Sequence, residues 1–416
     1  MNAPHTAPLT DPQVKLLIPA DDVESPELTI LVPAMNEQLT IGRFLEWCHE
    51  GIRMAGCRAE ILIVDSSSDQ TPQIAQAAGA RVLCTPKRGL GRAYIDAMPY
   101  VRGQYIVMGD ADCTYDFRQV GLFLEQMRAG HGFVMGSRFK GTIEDGAMPA
   151  LHRYFGTPLT TFILNFMFGS HFSDIHCGMR GISRDALMRM QLQSQSWEYA
   201  SEMVLKSVHM NLGIAEVPIN FFKDQEGRLS HMKRGGWLEP WRAGWQNLRA
   251  MFVYGADFFL AKPGLLALVL GLLLIVPLVF GPMRVGALEL SLNWMLLGTT
   301  LATVGLGFCY AGALARLLFD YDAAQRRKLE YWFPYDRTMV IVGLMLLAAI
   351  CLALPLAVSY VRADYVLPST AIAVVYPAVA GLWLTIAAAQ TFTFLLLSKA
   401  VPLMIQPNVR PMRALP

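Results

Sequence analysis

Hydrophobic and polar positions divide this chain into two unlike stretches. As far as about Asp257, short apolar runs alternate with amphipathic ones and charged side chains occur throughout. Beyond that point long uncharged runs dominate. In the first stretch, residues 28–33, 59–65, 80–84 and 104–108 are apolar and rich in β-branched side chains, which predicts buried strands. Helices are predicted from about Leu39, over 73–78 and over 91–100, with Ser66-Ser67-Ser68-Asp69-Gln70-Thr71-Pro72 as a turn and helix cap. Strands that alternate with helices imply an α/β fold with a mainly parallel sheet, whose binding crevice lies at the carboxyl ends of the strands. Pro33, Asp65 and Asp110 all fall at that edge. The apolar segment 159–172 fits an interfacial helix and a core helix equally well.

Four uncharged runs follow, at 263–283, 290–315, 338–361 and 365–398, and each meets the ~20 residues needed to cross a bilayer as a helix. They predict an all-α membrane domain of four transmembrane helices. The basic residues Arg316, Arg326, Arg327, Lys328 and Arg337 lie between the second and third runs, whereas the other two connections hold only Arg284 and Arg362. That excess places the central connection in the cytoplasm, together with the N-terminal part and a tail carrying Lys399, Arg410 and Arg413. No charge falls inside a span, which argues against an ion pump or a proton-coupled transporter and in favour of an anchor. Ahead of the first run, Trp237, Trp241, Trp245, Phe252 and Phe258 interleave with Arg228, Lys233, Arg234, Arg242 and Arg249, as in helices that lie in a membrane interface.

Composition changes this picture little. A hydrophobic share of 53% against 16% charged residues in a chain of 416 agrees with the spans. The formal net charge of +2 gives no reason to expect nucleic acid. Seven cysteines without a C-x-x-C pair or histidines at metal spacing fit a reduced, cytoplasmic setting. The N-terminus is polar and proline-rich, lacks the apolar core of a signal peptide, and reads as a mobile tail.

The chemistry concentrates in Val107-Met108-Gly109-Asp110-Ala111-Asp112-Cys113-Thr114-Tyr115-Asp116. Two carboxylates one residue apart at a strand end can reach one hard cation, and Mg²⁺ or Mn²⁺ takes oxygen ligands while keeping part of its shell for substrate phosphates. A lone D-x-D is also a common solvated turn, and an acidic strand end is also a good helix N-cap. What weighs against the bland reading is the company. Gly89-Leu90-Gly91-Arg92-Ala93-Tyr94 begins like a dinucleotide fingerprint but lacks the third glycine and follows Thr-Pro-Lys, which excludes a dinucleotide cofactor site.

The motifs VPAMNE, VDSSSDQT, KRGLGRA, GDADCTYD, GSRF, GAMPALHRYFG and DIHCGMRG, in that order, resemble family 2 glycosyltransferases, and among them the dolichol- and polyprenyl-phosphate sugar synthases. The resemblance covers roughly residues 28 to 255. It departs at Ser66, where many relatives carry a second acidic or amide residue. It implies a Rossmann-like glycosyltransferase A domain that transfers one sugar, with inversion, from a nucleoside-diphosphate sugar to a polyprenyl phosphate at the cytoplasmic face of the inner membrane. Donor contacts are then implied at Pro33, Met35, Glu37, Ile63, Asp65, Asp110 and Ala111, and the metal at Asp110, Asp112 and Thr114. Asp110, Asp112 and Arg138 become the catalytic set, and Arg138, Arg153, Arg180, Lys223 and Arg228 the acceptor and phosphate contacts. The implied partners are the donor, the lipid phosphate and the bilayer, with room for a homo-oligomer.

The chain then divides into a tail (1–26), a glycosyltransferase domain (27–226), juxtamembrane helices (227–262), the membrane domain (263–399) and a cytoplasmic tail (400–416). A divalent ion at Asp110 and Asp112 suits this chemistry because the leaving diphosphate gains negative charge. A lipid phosphate brings an oxygen already ionised near neutral pH, its second pKa being about 6, so cations matter more than a base. Arginine suits phosphate through its planar fork. Ala250 replaces the tryptophan of the Q-x-x-R-W motif of processive polysaccharide synthases, which argues against a polymerase. Glu202 stands where many relatives have a base, yet a helical surface glutamate is the favoured reading. The alternatives are a glycolipid synthase acting on a lipid hydroxyl, which needs a base, and a non-catalytic membrane scaffold.

Overall fold

Apolar side chains of four adjacent parallel strands form the centre of the N-terminal unit in the computed structural model, which describes residues 13–196, 198–225, 252, 255–318, 324–366 and 372–405. The strands are β1 (Lys15–Leu17), β2 (Leu28–Ala34), β3 (Ala59–Asp65), β4 (Arg81–Cys84), β5 (Tyr105–Met108), β6 (Phe133–Ser137), β7 (Arg180–Ser183) and β8 (Ile214–Pro218). They form one sheet in the order β1-β4-β3-β2-β5-β7-β6-β8. Only β1 and β7 run against the rest. The order reverses between β2 and β5, and such a switch point opens a crevice beyond the strand ends. Register makes that crevice specific. Ala34 pairs with Asp65, and Leu31 with Met108, so Pro33, Asp65 and Asp110 stand nearly level at one edge.

Helices α1 (Ile41–Ala55), α2 (Thr71–Ala77), α3 (Leu90–Ala97), α4 (Val120–Arg128), α5 (Thr157–Phe168), α6 (Arg184–Met190) and α7 (Glu198–His209) connect the strands. In α1, Ile41, Phe44, Leu45 and Cys48 recur at helical spacing and are fully buried, and Gly56 closes the helix in the left-handed region at φ 58°. The predicted helix 91–100 is α3 followed by a tight 3-10 turn, Met98–Tyr100.

Of the segment expected as a mobile tail through residue 26, residues 13–26 are described and carry a strand. Leu16 and its neighbours add β1 to the edge of β4. Asp22 is held by Arg102, which also donates to buried Glu60, and Glu60 takes further bonds from Arg81 and the Thr29 hydroxyl. Charges buried at the amino ends of β2, β3 and β4 need this mutual pairing, and the tail supplies one of the partners.

The second unit, Gly255–Pro416, contains four helices long and apolar enough to cross a membrane. These are α8 (Ala256–Leu278), α9 (Leu292–Leu318), α11 (Tyr335–Arg362) and α12 (Ile372–Ile405), with the short α10 (Ala324–Trp332) between the second and third. The first begins seven residues before the expected 263 and ends at Leu278, because residues 283–290 form a small hairpin of β9 (Met283–Val285) and β10 (Leu288–Leu290). Helices α8 and α9 touch backbone to backbone: a methyl group on Gly271 or Gly305 would collide with main-chain atoms of the other helix. Ile275, Leu278, Met295, Ala302, Tyr376 and Ala380 join α8, α9 and α12 into one core, and the Tyr310 and Thr391 hydroxyls meet at 2.8 Å. Most of the expected juxtamembrane helices, and the C-terminal tail beyond Ile405, lie outside the described residues, and residues 400–405 of that tail belong to α12.

Candidate active site

The side expected to hold the donor is built from the turns after β2 and β3. Asp65 ends β3 with its carboxylate accepting from the Ser67 hydroxyl at 2.6 Å and the Ser67 N–H at 3.1 Å. Burial pushes the Asp65 carboxyl above its ordinary value, against these hydrogen bonds. The Ser67 hydroxyl in turn accepts from the Asn36 N–H at 2.7 Å, and the Asn36 side chain accepts from the Ser68 N–H at 2.9 Å. Asn36 sits at φ 59°, a conformation asparagine tolerates better than most residues. Glu37 is buried and takes the Thr40 hydroxyl at 3.0 Å, while its own N–H donates to Thr71 at 2.9 Å. Two strand-end turns are thereby locked to each other. Ser66, the departure from the common pattern, places its hydroxyl 3.5 Å from that of Thr85. Pro33 and Met35 are partly exposed at this mouth. Ile63 does not reach it: its side chain is fully buried two residues before the strand end, between Val32 and Val82, and serves the core.

Across the switch point, Asp110 and Asp112 follow β5 and are both partly exposed, with buried Ala111 between them. Thr114 donates its N–H and its hydroxyl to Asp112 Oδ1 at 3.0 and 2.6 Å. Thr114 thereby orients the Asp112 carboxylate. Cys113, at φ 60°, turns its thiol away to the Thr40 carbonyl, 3.6 Å off. The donor set is thus two carboxylates without imidazole or thiolate, which fits Mg²⁺ or Mn²⁺ and not zinc. No group of three histidine, cysteine or acidic residues gathers among the described residues, so a cation held by these two carboxylates would complete its shell from substrate and water. Asp110 Oδ2 lies over Gly178, where a Cβ would come within 2.8 Å of it and 2.9 Å of the Tyr115 ring. Tyr115 is buried, and its hydroxyl accepts from the Gly178 N–H at 2.8 Å. The sequence reading missed Gly178, whose requirement comes from a contact 68 residues away in sequence.

The expected phosphate-binding cations separate into different environments. Arg138 is buried, its Nε and Nη2 donating to Asp174 at 2.7 and 2.8 Å, and its guanidinium lies 5.2 Å from the Phe221 ring. Asp174 begins the turn that carries Gly178, so Arg138 and Asp110 flank one loop. Arg153 lies in a π-helical turn, His152–Gly156, that leads into α5, and is half-buried beside the Tyr154 ring. Such turns recur at functional sites. His176 anchors this segment to the Asp174–Gly178 loop, its Nε2 lying 2.8 Å from the Thr160 hydroxyl. Burial pulls the His176 imidazole down to about 4, so it is neutral near pH 7.

Two residues contradict their expected roles. Arg180 is buried in β7 and donates to the carbonyls of Cys177 at 2.9 Å and Ala200 at 2.8 Å, which ties two elements together instead of facing a lipid phosphate. Glu202 is not a surface residue. It is fully buried, paired with Lys206 at 2.6 Å, and accepts the N–H groups of Gln193 and Ser194. Lys223 is exposed, and Arg228 lies outside the described residues.

The segment expected as either an interfacial or a core helix has one face in the core and an apolar face left exposed. Helix α5 buries Thr161, Leu164 and Met167 on one stripe, while Leu159, Phe162 and Phe166 stay exposed on another. With Leu151, Tyr154 and Phe155 before it, this is a continuous apolar surface beside Arg153. Contiguous exposed apolar side chains of this kind mark contact with lipid or protein.

Comparisons with known proteins agree with the geometry. The model for Glycosyl transferase family 2 matches residues 29–190. The chain is similar to the low-salt glycan biosynthesis hexosyltransferase Agl6 of Haloferax volcanii, at 34% identity over 84% of each chain. It is 30% identical to the dolichyl-phosphate hexose transferase of the same organism, over 47% of this chain and 82% of that one. It is 26% identical to the dolichol-phosphate mannosyltransferase of Mycosarcoma maydis, over 49% of this chain and 73% of the relative. The match to Agl6 runs beyond the sheet into the helical unit, and with the D-x-D at the switch point it makes this chain a member of the family 2 glycosyltransferases.

Proposed function

We propose that this protein transfers one sugar from a nucleoside-diphosphate donor to a polyprenyl phosphate, with inversion and with a divalent metal, at the cytoplasmic face of the membrane. The observation that carries the reading is Arg153 set in exposed aromatic surface, close along the chain to Arg138. A cation bordered by apolar side chains is what a phosphate on a hydrocarbon chain requires. The names of two relatives, which specify dolichyl or dolichol phosphate, support the same acceptor class.

The residues divide the work as follows. Asp110 and Asp112 would hold the Mg²⁺ or Mn²⁺, which when bound supplies Lewis-acid neutralisation of the charge growing on the leaving diphosphate. Asp65 and the Asn36–Ser67 turn hold the nucleoside end of the donor across the switch point. Asp174 fixes the guanidinium plane of Arg138 by its Nε–Nη2 edge, which leaves the Nη1 side for a phosphate oxygen. Arg153 orients the acceptor phosphate, and the prenyl chain continues over Phe155, Phe162 and the bilayer. The attacking phosphate oxygen is ionised near neutral pH, with a second pKa of about 6, so no side chain has to remove a proton. Glu202 could not do so in any case, since both its oxygens are engaged and buried.

The test offers purified full-length protein a panel of nucleotide sugars with Mn²⁺ and three acceptors: a short polyprenyl phosphate, the matching polyprenol and diacylglycerol. The reading expects product on the phosphate alone and none after chelation. Efficient transfer to either alcohol would overturn it and make the enzyme a glycolipid synthase.

A further inference from the structure

Among the described residues of the N-terminal unit the Glu202–Lys206 pair is the most completely enclosed ion pair, and the mechanism does not use it directly. Lys206 Nζ donates to the carbonyls of Met190 and Gln191 at 2.9 and 3.1 Å. Glu202 accepts from the N–H groups of Gln193 and Ser194 at 3.1 and 2.8 Å. A single i,i+4 pair on α7 therefore clamps the whole connection 190–194. A solvated helix pair has no reason to be covered this way, and burying two charges costs several kcal/mol unless each is fully satisfied.

The clamped connection leans on the glycine turn at the start of α3. Gln195 O accepts the Arg92 N–H at 3.1 Å, and side chains at Gly89 or Gly91 would collide with the carbonyls of Gln195 and Ser194. Helix α3 then presents Tyr94, whose ring stacks on Tyr199 of α7 at 4.8 Å and 11°. The Tyr94 hydroxyl donates to the Gly109 carbonyl at 3.2 Å. Gly109 is the first residue beyond β5 and the last before Asp110, so its peptide is fixed by Tyr94 rather than by the sheet ladder. Helix α7 reaches the same carboxylate by a second route. Arg180 bridges the Ala200 carbonyl to that of Cys177, the residue before Gly178, which Asp110 Oδ2 overlies.

We infer that Glu202 and Lys206 are positioning residues that set the Asp110 carboxylate through Tyr94 and Arg180. The inference rests on the reading of Asp110 as part of the metal–nucleotide site. Two properties follow from it. Disturbing the clamp weakens the metal-dependent hold on the nucleotide, and it leaves the shape of the pH–rate profile and the KM for the acceptor as they were. A base at Glu202 would do the reverse.

The experiment titrates full-length protein in nanodiscs with UDP and with GDP by calorimetry, with and without Mn²⁺, alongside thermal unfolding. Wild-type protein binds one of the two in an Mn²⁺-dependent way; if it binds neither, the function reading fails and the inference falls with it. Glu202→Gln lowers that affinity about tenfold, the size of an indirect coupling carried through packed side chains to Asp110. Because this variant also leaves Lys206 without its counter-charge and can lose stability, Tyr94→Phe is the decisive companion. It removes one hydroxyl, keeps the ring stack, and lowers Mn²⁺-dependent affinity several-fold at an unfolding temperature close to wild type. Wild-type affinity in both variants would overturn the inference. So would a fall in kcat for Glu202→Gln that erased the acidic limb of the pH profile.

Discussion

The two sides of the crevice are made of different materials. On the donor side, between β2 and β3, small polar side chains and main-chain amides bond to one another: Asp65 to Ser67, Ser67 to Asn36, Asn36 to Ser68. Large exposed apolar groups are rare there, Leu39 being the nearest. On the side proposed for the acceptor, from Leu151 to Phe166, aromatic rings face outward around a single arginine and the polar bonds lie beneath, between Thr160, His176 and Asp174. The difference teaches what each side can hold. A network of short hydrogen bonds reads a rigid, water-soluble group, whereas an apolar surface with one cation suits a charged head on a greasy chain.

The comparison breaks most severely at the metal. Asp112→Asn keeps the shape of the turn and the bond from Thr114 but removes a charge, and transfer falls on the order of 10²-fold or more. The assay is initial rate at saturating acceptor; a variant with wild-type turnover would remove Asp112 from the site. Next is Arg153→Ala, expected to lower kcat/KM for the lipid phosphate by about 10- to 100-fold, in line with ~1.5–3 kcal/mol for a charge-assisted bond. Arg153→Lys recovers part of this, because a point charge cannot copy the fork. Donor affinity stays constant in both, and a matching loss of donor affinity would merge the two sides.

A smaller effect sharpens the division. Replacing Phe162 and Phe166 by serine removes stacked, exposed rings whose loss costs the fold little. The KM for a long-chain polyprenyl phosphate rises several-fold while that for a short soluble analogue does not change. Equal effects on both acceptors would show that the aromatic face does not meet the chain.

The smallest effect at neutral pH concerns His176, whose pKa is held near 4 by burial. The unfolded chain takes up a proton near pH 6.5 and the folded one only near pH 4. More protons on the unfolded state between those values means that stability falls as pH drops from about 6.5 to about 4, then levels off. Thermal unfolding followed across that range should show the slope, and His176→Gln should flatten it. An unchanged slope would mean that His176 is not what titrates.

Much of the donor side was legible in the residues. Strands 28–34, 59–65 and 105–108 announced themselves by apolar runs, and their polar ends by Pro33, Asp65 and Asp110, because the C-terminal edge of a parallel strand is where polar groups gain access to a crevice. The acceptor side was legible only as isolated arginines. Arg138, Arg153 and Arg180 have the same chemistry in sequence, yet one is paired with Asp174, one stands in aromatic surface and one bonds to two carbonyls.

By itself, then, the sequence determined the things that depend on neighbours along the chain: the alternation of strands and helices, the D-x-D spacing, and four helices long enough to cross a bilayer. Tertiary structure alone decided which face each charged residue would meet. An i,i+4 glutamate–lysine pair reads identically on a wet helix and a buried one; α7 became the buried kind because residues 190–194 fold over it and offer four main-chain partners. The short β7 likewise enters the sheet between β6, the strand before it in the chain, and the much earlier β5, so that Gly178 and Arg180 arrive beside Asp110 through pairing with β5 that no local pattern encodes.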